Sequence, residues 1–402
     1  MKPVTKRLPQ AEFIALMAML AATIAFSIDA MLPALPEIAA ELSPNNLNRA
    51  QLILTSFVLG MGIGTFFTGP LSDAFGRKPV MVGGAVLYIL ATTMAWASTT
   101  MEMMLISRIL MGVGAAGPRV VAMAMVRDIY GGRDMARIMS FVMMVFALVP
   151  ALAPTMGHYI IIGFGWRAIF VAFIVFSLST AVWLMLRQPE TLAVADRRPL
   201  DFKSLVAGTK EVFSIRTTRL SIMIQTLTFG SLFASLSSTQ QLFDVTYGQG
   251  DVFHLWFGGI AIIATSASIL NAKYVGRLGM RAIIRMTFIG QIALTSLLIL
   301  ITLAGGPYWL TFGMFVVWTI GVFMQAGLTI GNLNALAMEP VGHIAGIAAS
   351  IIAALSTVGA VIIAAPIGLA FNGTPLPMAI GTLACVILGL WLTTKIKRPG
   401  ED

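Results

Sequence analysis

The chain is short of charge, histidine and cysteine, and each shortage closes off a class of function. Only 11% of its 402 residues are charged, against about 25% in a soluble domain, so most of the chain has no water to face. One cysteine, Cys385, within the last apolar run, allows neither a disulfide nor a thiolate metal site within one chain. There is no nucleotide-binding loop, no cluster of metal ligands, no Ser/His/Asp arrangement and no hydrophilic domain to host one. An enzyme or receptor is therefore not expected, and no cofactor or metal is called for. The net charge of +9 would suggest nucleic acid, but the placement of the bases makes it a topology signal. No nucleic-acid partner is expected.

What the chain has in quantity is apolar surface. Hydrophobic residues make up 58% of it, in runs of about 20 that can each cross the roughly 30 Å hydrocarbon core as a helix. The 38 glycines and 26 methionines suit close helix packing and adaptable cavity walls. Polar and Gly/Pro breaks delimit twelve spans: 11–34, 50–68, 80–97, 102–126, 138–161 and 166–186, then 219–243, 253–275, 283–303, 308–336, 345–371 and 377–395. Residues 1–34 resemble a signal peptide, but the apolar stretch is too long for a cleavable one and runs on into Pro33 and Pro36, so it is read as a retained first helix.

The expected fold is an all-α membrane protein of twelve transmembrane helices in two pseudo-symmetric six-helix bundles, 1–186 and 219–402. A hydrophilic linker over 187–218 joins them, with room for a short amphipathic helix. With the N-terminus placed inside, only Arg49, Arg108, Arg119 and Arg167 of the 26 Lys and Arg fall outside the cytoplasmic segments. The excess of bases predicts that both termini are cytoplasmic. The offset that carries Gly76 onto Gly279, within Gly276-Arg277-Leu278-Gly279-Met280-Arg281, indicates an internal repeat, with no acid there to match Asp73. A substrate site between two such halves, near the midplane, is the expected transporter arrangement.

Ionisable residues inside spans are costly and mark function by default. Asp29 is the acid farthest from the ends of any span, about six residues, or ~9 Å, from the outer end of the first. Arg108 on the fourth span lies at a similar depth, so a pair between them is geometrically reasonable. It reads either as a titratable proton carrier with its modulator or as a structural ion pair. The repeat offset puts Leu232 and Thr311 at these positions, so the second half has no equivalent. Arg119 lies about three turns beyond Arg108 on nearly the same side of that helix. It reads as a substrate contact or as a base snorkelling towards the cytoplasm. Met123, Gln225, Phe229 and Asn332 are the other candidate substrate contacts; Gln225, Gln240, Gln241, Gln325, Asn332 and Asn334 read either as cavity lining or as links between helices, and Phe229 and Phe233 either as a greasy pocket or as core- or lipid-facing aromatics. Lone His158 reads as a satisfied structural histidine.

Asp73 and Arg77, in the charged turn Gly69–Pro79, and Asp128, ending the fourth span, fall on one side of the membrane. Anchoring in water needs bases but no acids, so the three are read as a cytoplasmic gate. Pro150 and Pro154 remove two backbone donors from the fifth span and, with Gly157, form a candidate pivot.

These residues together resemble the drug:proton antiporter branch of the major facilitator superfamily. Gly69–Met81 is similar to the superfamily loop, and Arg108 with Gly112-Val113-Gly114 to the fourth-helix motif. Pro150–Gly157 is similar to the fifth-helix antiporter motif, although Ala153 stands where a glycine is usual. Ser27–Pro36, Gly76–Val80 and Arg127-Asp128-Ile129-Tyr130 narrow the resemblance to the bicyclomycin/chloramphenicol resistance subfamily. It implies a monomer in the bacterial inner membrane that exports a small, mostly apolar molecule in exchange for a proton, with Asp29 as carrier and Arg108 as modulator. The alternative is an uptake symporter or metabolite exporter of the same superfamily. Arg119, next to Pro118, departs from the drug-exporter pattern and leaves the substrate open. If Arg119 touches substrate, Arg119→Ala is expected to shift preference between neutral and anionic compounds in a susceptibility panel; an unchanged profile assigns it to snorkelling.

Overall fold

Hydrocarbon offers no hydrogen-bond partner to a peptide group, so each apolar run must satisfy its backbone internally, as a helix. The computed structural model describes residues 8–396, apart from the side chains of Arg119, Ala136, Ala147, Phe202 and Ser204. The helices are α1 (Gln10–Asp29), α2 (Leu35–Leu42), α3 (Gln51–Phe75), α4 (Arg77–Trp96), α5 (Met101–Ile129), α6 (Gly132–Phe164) and α7 (Arg167–Arg187). After α8 (Phe202–Ser214) come α9 (Arg216–Gln241), α10 (Phe253–Leu278), α11 (Met280–Leu303), α12 (Tyr308–Met338), α13 (Ala345–Leu369) and α14 (Leu376–Thr393). Among the described residues, 11 continuous helical segments are long and apolar enough to cross a membrane. One of them, Tyr308–Leu369, joins α12 and α13 through a kinked 3₁₀ segment where Val341 leaves helical geometry. Counted apart, they restore the twelve expected spans. Large apolar side chains such as Phe164, Leu186, Trp309 and Ile362 stay more than two-thirds exposed, as a lipid-facing surface requires.

The structure departs from the expected boundaries at two places that matter. The first span is broken: α1 ends at Asp29, and a short 3₁₀ turn over Leu32–Ala34 leads into α2. Pro33 and Pro36 sit in the first turns of these two segments, where a missing backbone N–H costs little. The charged turn is also much shorter than Gly69–Pro79. Pro70 lies within α3, and Gly76 alone separates α3 from α4. Its φ of 105° belongs to the left-handed half of backbone space that side chains avoid. Gly279, its counterpart by the repeat offset, does the same between α10 and α11 with φ 80°.

The chain divides into two compact units, one running through Pro44 and Ser56–Leu205, the other comprising Asn45–Thr55 and the chain from Val206 onward. In the first unit, Phe13, Leu16, Met17 and Leu20 of α1 pack with Met81, Val121, Met125, Ile138 and Leu184. In the second, Ile224, Ile284, Phe288, Leu333, Leu336 and Val386 form the corresponding cluster.

Apolar burial drives little association in lipid, so the close approach of backbones at small residues does much of the work. A Cβ on Gly60 would overlap Ile109 of α5, and one on Gly112 would overlap the Phe57 carbonyl of α3. One on Gly114 would overlap the Gly84 carbonyl of α4, 2.6 Å away. Gly112 and Gly114 therefore seat α5 against two neighbours on different faces. Gly112→Val or Gly114→Val is expected to cost roughly 1–3 kcal/mol or more and to lower the melting temperature of detergent-purified protein. Gly83→Ala, where nothing lies within 4 Å, is expected to be neutral or slightly stabilising.

Candidate functional site

The α3–α5 and α4–α5 contacts place Arg108 inside the first unit with 0% exposure. A buried guanidinium must find partners or pay a large desolvation penalty. Arg108 Nη2 donates to the Ser27 carbonyl on α1 at 3.1 Å, and its guanidinium carbon lies 4.5 Å from the centre of the Phe57 ring, within cation–π range. Asp29 is 5% exposed, two residues beyond Ser27, and its carboxylate has no hydrogen-bond or ion-pair partner among the described residues. The expected pair is thus not formed: the structure brings Arg108 to the last turn of α1, but onto its backbone. A main-chain carbonyl two residues away meets the guanidinium and leaves the carboxylate alone at the end of the helix.

Two neighbours were not anticipated. Ser27 Oγ donates to the Thr23 carbonyl at 2.6 Å and is also hydrogen-bonded to the Tyr88 hydroxyl of α4. Ser27 and Tyr88 are both buried. One signal for Tyr88 was available: it is a hydroxyl-bearing aromatic in the middle of an apolar span. The fifth-helix motif reaches the same place. Gly157 of α6 lies so close to α1 that a Cβ would overlap the Ala30 carbonyl, beside Asp29. α6 runs helically through Pro150 and Pro154. His158 is half-buried, its ring centroid 5.6 Å from that of Tyr159.

The structure joins Arg77, Asp73 and Asp128. Arg77 donates through Nε to Asp128 at 3.0 Å and through Nη1 to both Ser72 Oγ at 2.7 Å and Asp73. Arg77 is 4% exposed, so its fork is largely shielded from water. Sequence reasoning missed the acid beneath it. Glu190, just past α7, accepts the Arg77 and Lys78 backbone N–H groups at 3.0 Å each, and those of Thr191 and Leu192. It thereby caps α4 where the free donors and the helix dipole favour an anion. Thr191 Oγ1 donates to Asp128 at 3.0 Å. Pro189-Glu190-Thr191 directly after a span, on the side of the bases, was the available signal.

The remaining candidates are scattered. The Arg119 side chain lies outside the described residues, and Met123 on α5 is 50% exposed. In the second unit, Gln225 and Phe229 are buried on α9 and Asn332 on α12. The Gln225 Oε1 is buried without a hydrogen-bond partner among the described residues. Phe229 stacks on Phe233 with centroids 5.6 Å apart, and Asn332 is occupied by Asn271 at 2.7 Å and the Leu328 carbonyl. Gln241 serves as a link, accepting from Gln51 at 2.7 Å and donating to Asn48 at 2.9 Å.

Among the described residues the chain is all-helical, with a buried Asp and Arg and a capped charge cluster, an arrangement that fits a multi-pass membrane transporter. The sequence matches the Major Facilitator Superfamily over residues 15–364, and the chain belongs to that family. It is 30% identical over 384 residues to the uncharacterised MFS-type transporter YdgK of Bacillus subtilis, covering 93% of this chain and 92% of that one. It is 28% identical to a bicyclomycin resistance protein homolog of Haemophilus influenzae, covering 91% of both, and 28% identical to a chloramphenicol resistance protein of Pseudomonas aeruginosa, covering 92% of this chain and 87% of that one. The fold is shared with the xylose transporter XylE of E. coli in a partially occluded, inward-open conformation, with a TM-score of 0.75 at 13% identity over 98% of this chain and 99% of that one.

The Glu190 cap makes a direct prediction. Glu190→Ala strands four backbone donors and is expected to cost roughly 1–3 kcal/mol, read as a lower melting temperature. Glu190→Gln keeps one acceptor oxygen and is expected to lose less.

Proposed function

We propose that this transporter is a proton-coupled exporter of small, drug-like molecules that works by alternating access between two six-helix bundles, 1–186 and 219–402. The observation that carries the reading is Asp29: a carboxylate buried in an apolar bundle, without a hydrogen-bond or ion-pair partner among the described residues, on the helix that also receives Arg108. Burying a lone carboxylate carries a desolvation cost that a chain keeps only for a reason, and Arg108 donates to the same turn of α1. Asp29 accordingly takes a proton on one side of the membrane and releases it on the other, with Arg108 as modulator. The names of the bicyclomycin and chloramphenicol resistance relatives support the cargo class.

In the same reading Asp73, Arg77 and Asp128 form the cytoplasmic gate, Pro150, Pro154 and Gly157 the pivot, and Arg119, Met123, Gln225, Phe229 and Asn332 meet the substrate. The orphaned Gln225 oxygen supports its place, since a donor on the substrate would satisfy it. The protein acts as a monomer in the bacterial inner membrane with both termini in the cytoplasm, as the bias of Lys and Arg predicts.

The test is efflux into everted vesicles energised by an imposed pH gradient. Wild type is expected to accumulate drug only with the gradient, and Asp29→Asn to lose gradient-driven transport while still binding drug. Full gradient-dependent transport in Asp29→Asn would remove Asp29 as the coupling group; substrate movement with the proton rather than against it would establish the symporter. Arg77→Lys, which cannot hold Asp73 and Asp128 with one planar fork, is expected to lower transport roughly tenfold at normal expression.

A further inference from the structure

A small cavity beside the Ser27–Tyr88 pair is not explained by any role assigned above. It measures about 20 Å³ and lies between α1, α4, α5 and α7 in the first unit, lined mostly by apolar side chains, with Thr23, Tyr88, Ser177 and Thr180 as its hydroxyl-bearing residues. One water needs roughly 10–15 Å³ and two to four polar partners, so the space suits one water and nothing larger.

The hydrogen-bond inventory of its walls is unbalanced in a particular way. Ser27 Oγ has one proton, and it goes to the Thr23 carbonyl. The Ser27–Tyr88 bond must then be donated by Tyr88, which uses the only proton of the phenol and leaves its oxygen as an acceptor, with the Thr92 hydroxyl also beside it. Thr23 Oγ1 donates to the Met19 carbonyl and Thr180 Oγ1 to the Phe176 carbonyl, so both keep acceptor capacity only. Ser177 is 5% exposed, and its hydroxyl has no hydrogen-bond partner among the described residues. Its proton and lone pairs are both unused, though buried hydroxyls are normally satisfied. The residues that line the cavity thus include one unspent donor, Ser177, and hydroxyl oxygens with acceptor capacity on Tyr88, Thr23 and Thr180. A water that accepts from Ser177 and donates to Tyr88 and to one threonine matches that set, with the three hydrogen bonds usual for a buried water.

We propose that this cavity is a one-water binding site that extends the network around Arg108 through Ser27 and Tyr88 to Ser177. The link to transport runs through Ser27. Its hydroxyl takes the Tyr88 proton while its carbonyl takes Arg108 Nη2, so the water on Tyr88 steadies the segment of α1 that meets the guanidinium. Ser177 is then a positioning residue, acting on the coupling site through water and Tyr88. This link, though not the water site itself, rests on the coupling role proposed above.

Radiolytic hydroxyl-radical labelling of full-length purified protein tests the water directly, since a side chain shut off from solvent is oxidised when ordered water touches it. Tyr88, 2% exposed, is expected to be labelled in wild type. Ser177→Val, which fills the space and removes the donor, is expected to lower labelling at Tyr88 at least about threefold with lipid-facing residues unchanged; Ser177→Ala, the milder variant, lowers it less. An unlabelled Tyr88 in wild type, or equal labelling in Ser177→Val, overturns the site. In vesicles, Ser177→Val is expected to reduce the maximal gradient-driven rate roughly three- to tenfold with KM for drug unchanged; an unchanged rate alongside the labelling loss overturns the link to transport. Asp29→Asn, assayed in parallel, separates the two readings: retained coupling there rejects Asp29 as the carrier, and the labelling result stands or falls independently of it.

Discussion

Backbone contact at glycines is the constraint on which the first unit depends. Lipid is as apolar as leucine, so the helices gain little by burying apolar faces against one another and must gain by approaching closely. Gly60 and Gly112 bring α3 to α5, Gly84 and Gly114 bring α4 to α5, and Gly157 brings α6 to the end of α1. Each contact excludes even a methyl group. They enclose the segment where Arg108, Ser27, Phe57 and Tyr88 meet. A polar cluster can persist there because the surrounding backbone leaves its members few other places to go.

Close packing also decides what a buried charge can do. Arg108 donates to the Ser27 carbonyl and lies over the Phe57 ring, and among the described residues no ion pair joins it to Asp29 on α1. Asp29 stands at the end of α1, where two prolines turn the chain, without an ion partner among the described residues. A fixed Arg–Asp pair would lock both groups in one state. Here the guanidinium and the carboxylate are placed separately, Arg108 on the Ser27 carbonyl and Asp29 two residues further along.

The charges around Gly76 follow a different logic. Arg77, Asp73 and Asp128 sit at helix ends, and Glu190 and Thr191 complete the cluster from beyond α7. Its strength comes from geometry: one guanidinium forks to two carboxylates, and one carboxylate closes the N-terminus of α4. The second half repeats the backbone break, Gly279 standing for Gly76 at similar φ, but has no acid equivalent to Asp73. The shared backbone device and the unshared charges make the two copies alike in fold and unlike in electrostatics.

Composition and periodicity alone determined the helical membrane fold, the count of twelve spans though not all of their ends, and a short helix in the connecting segment, and they placed Asp73, Arg77 and Asp128 on one side of the membrane. These rest on local rules: the length of an apolar run, the spacing of charges along a helix, the place of glycine between helices. Only the tertiary structure decided that Gly76 is the whole turn between α3 and α4, that Arg108 binds the Ser27 carbonyl instead of Asp29, and that Glu190 and Tyr88 belong to the two polar clusters. These depend on which helices touch and at what rotation, and a backbone carbonyl as a partner leaves no trace in side-chain identity. Residue types fix what each position can offer; packing between helices settles which offers meet.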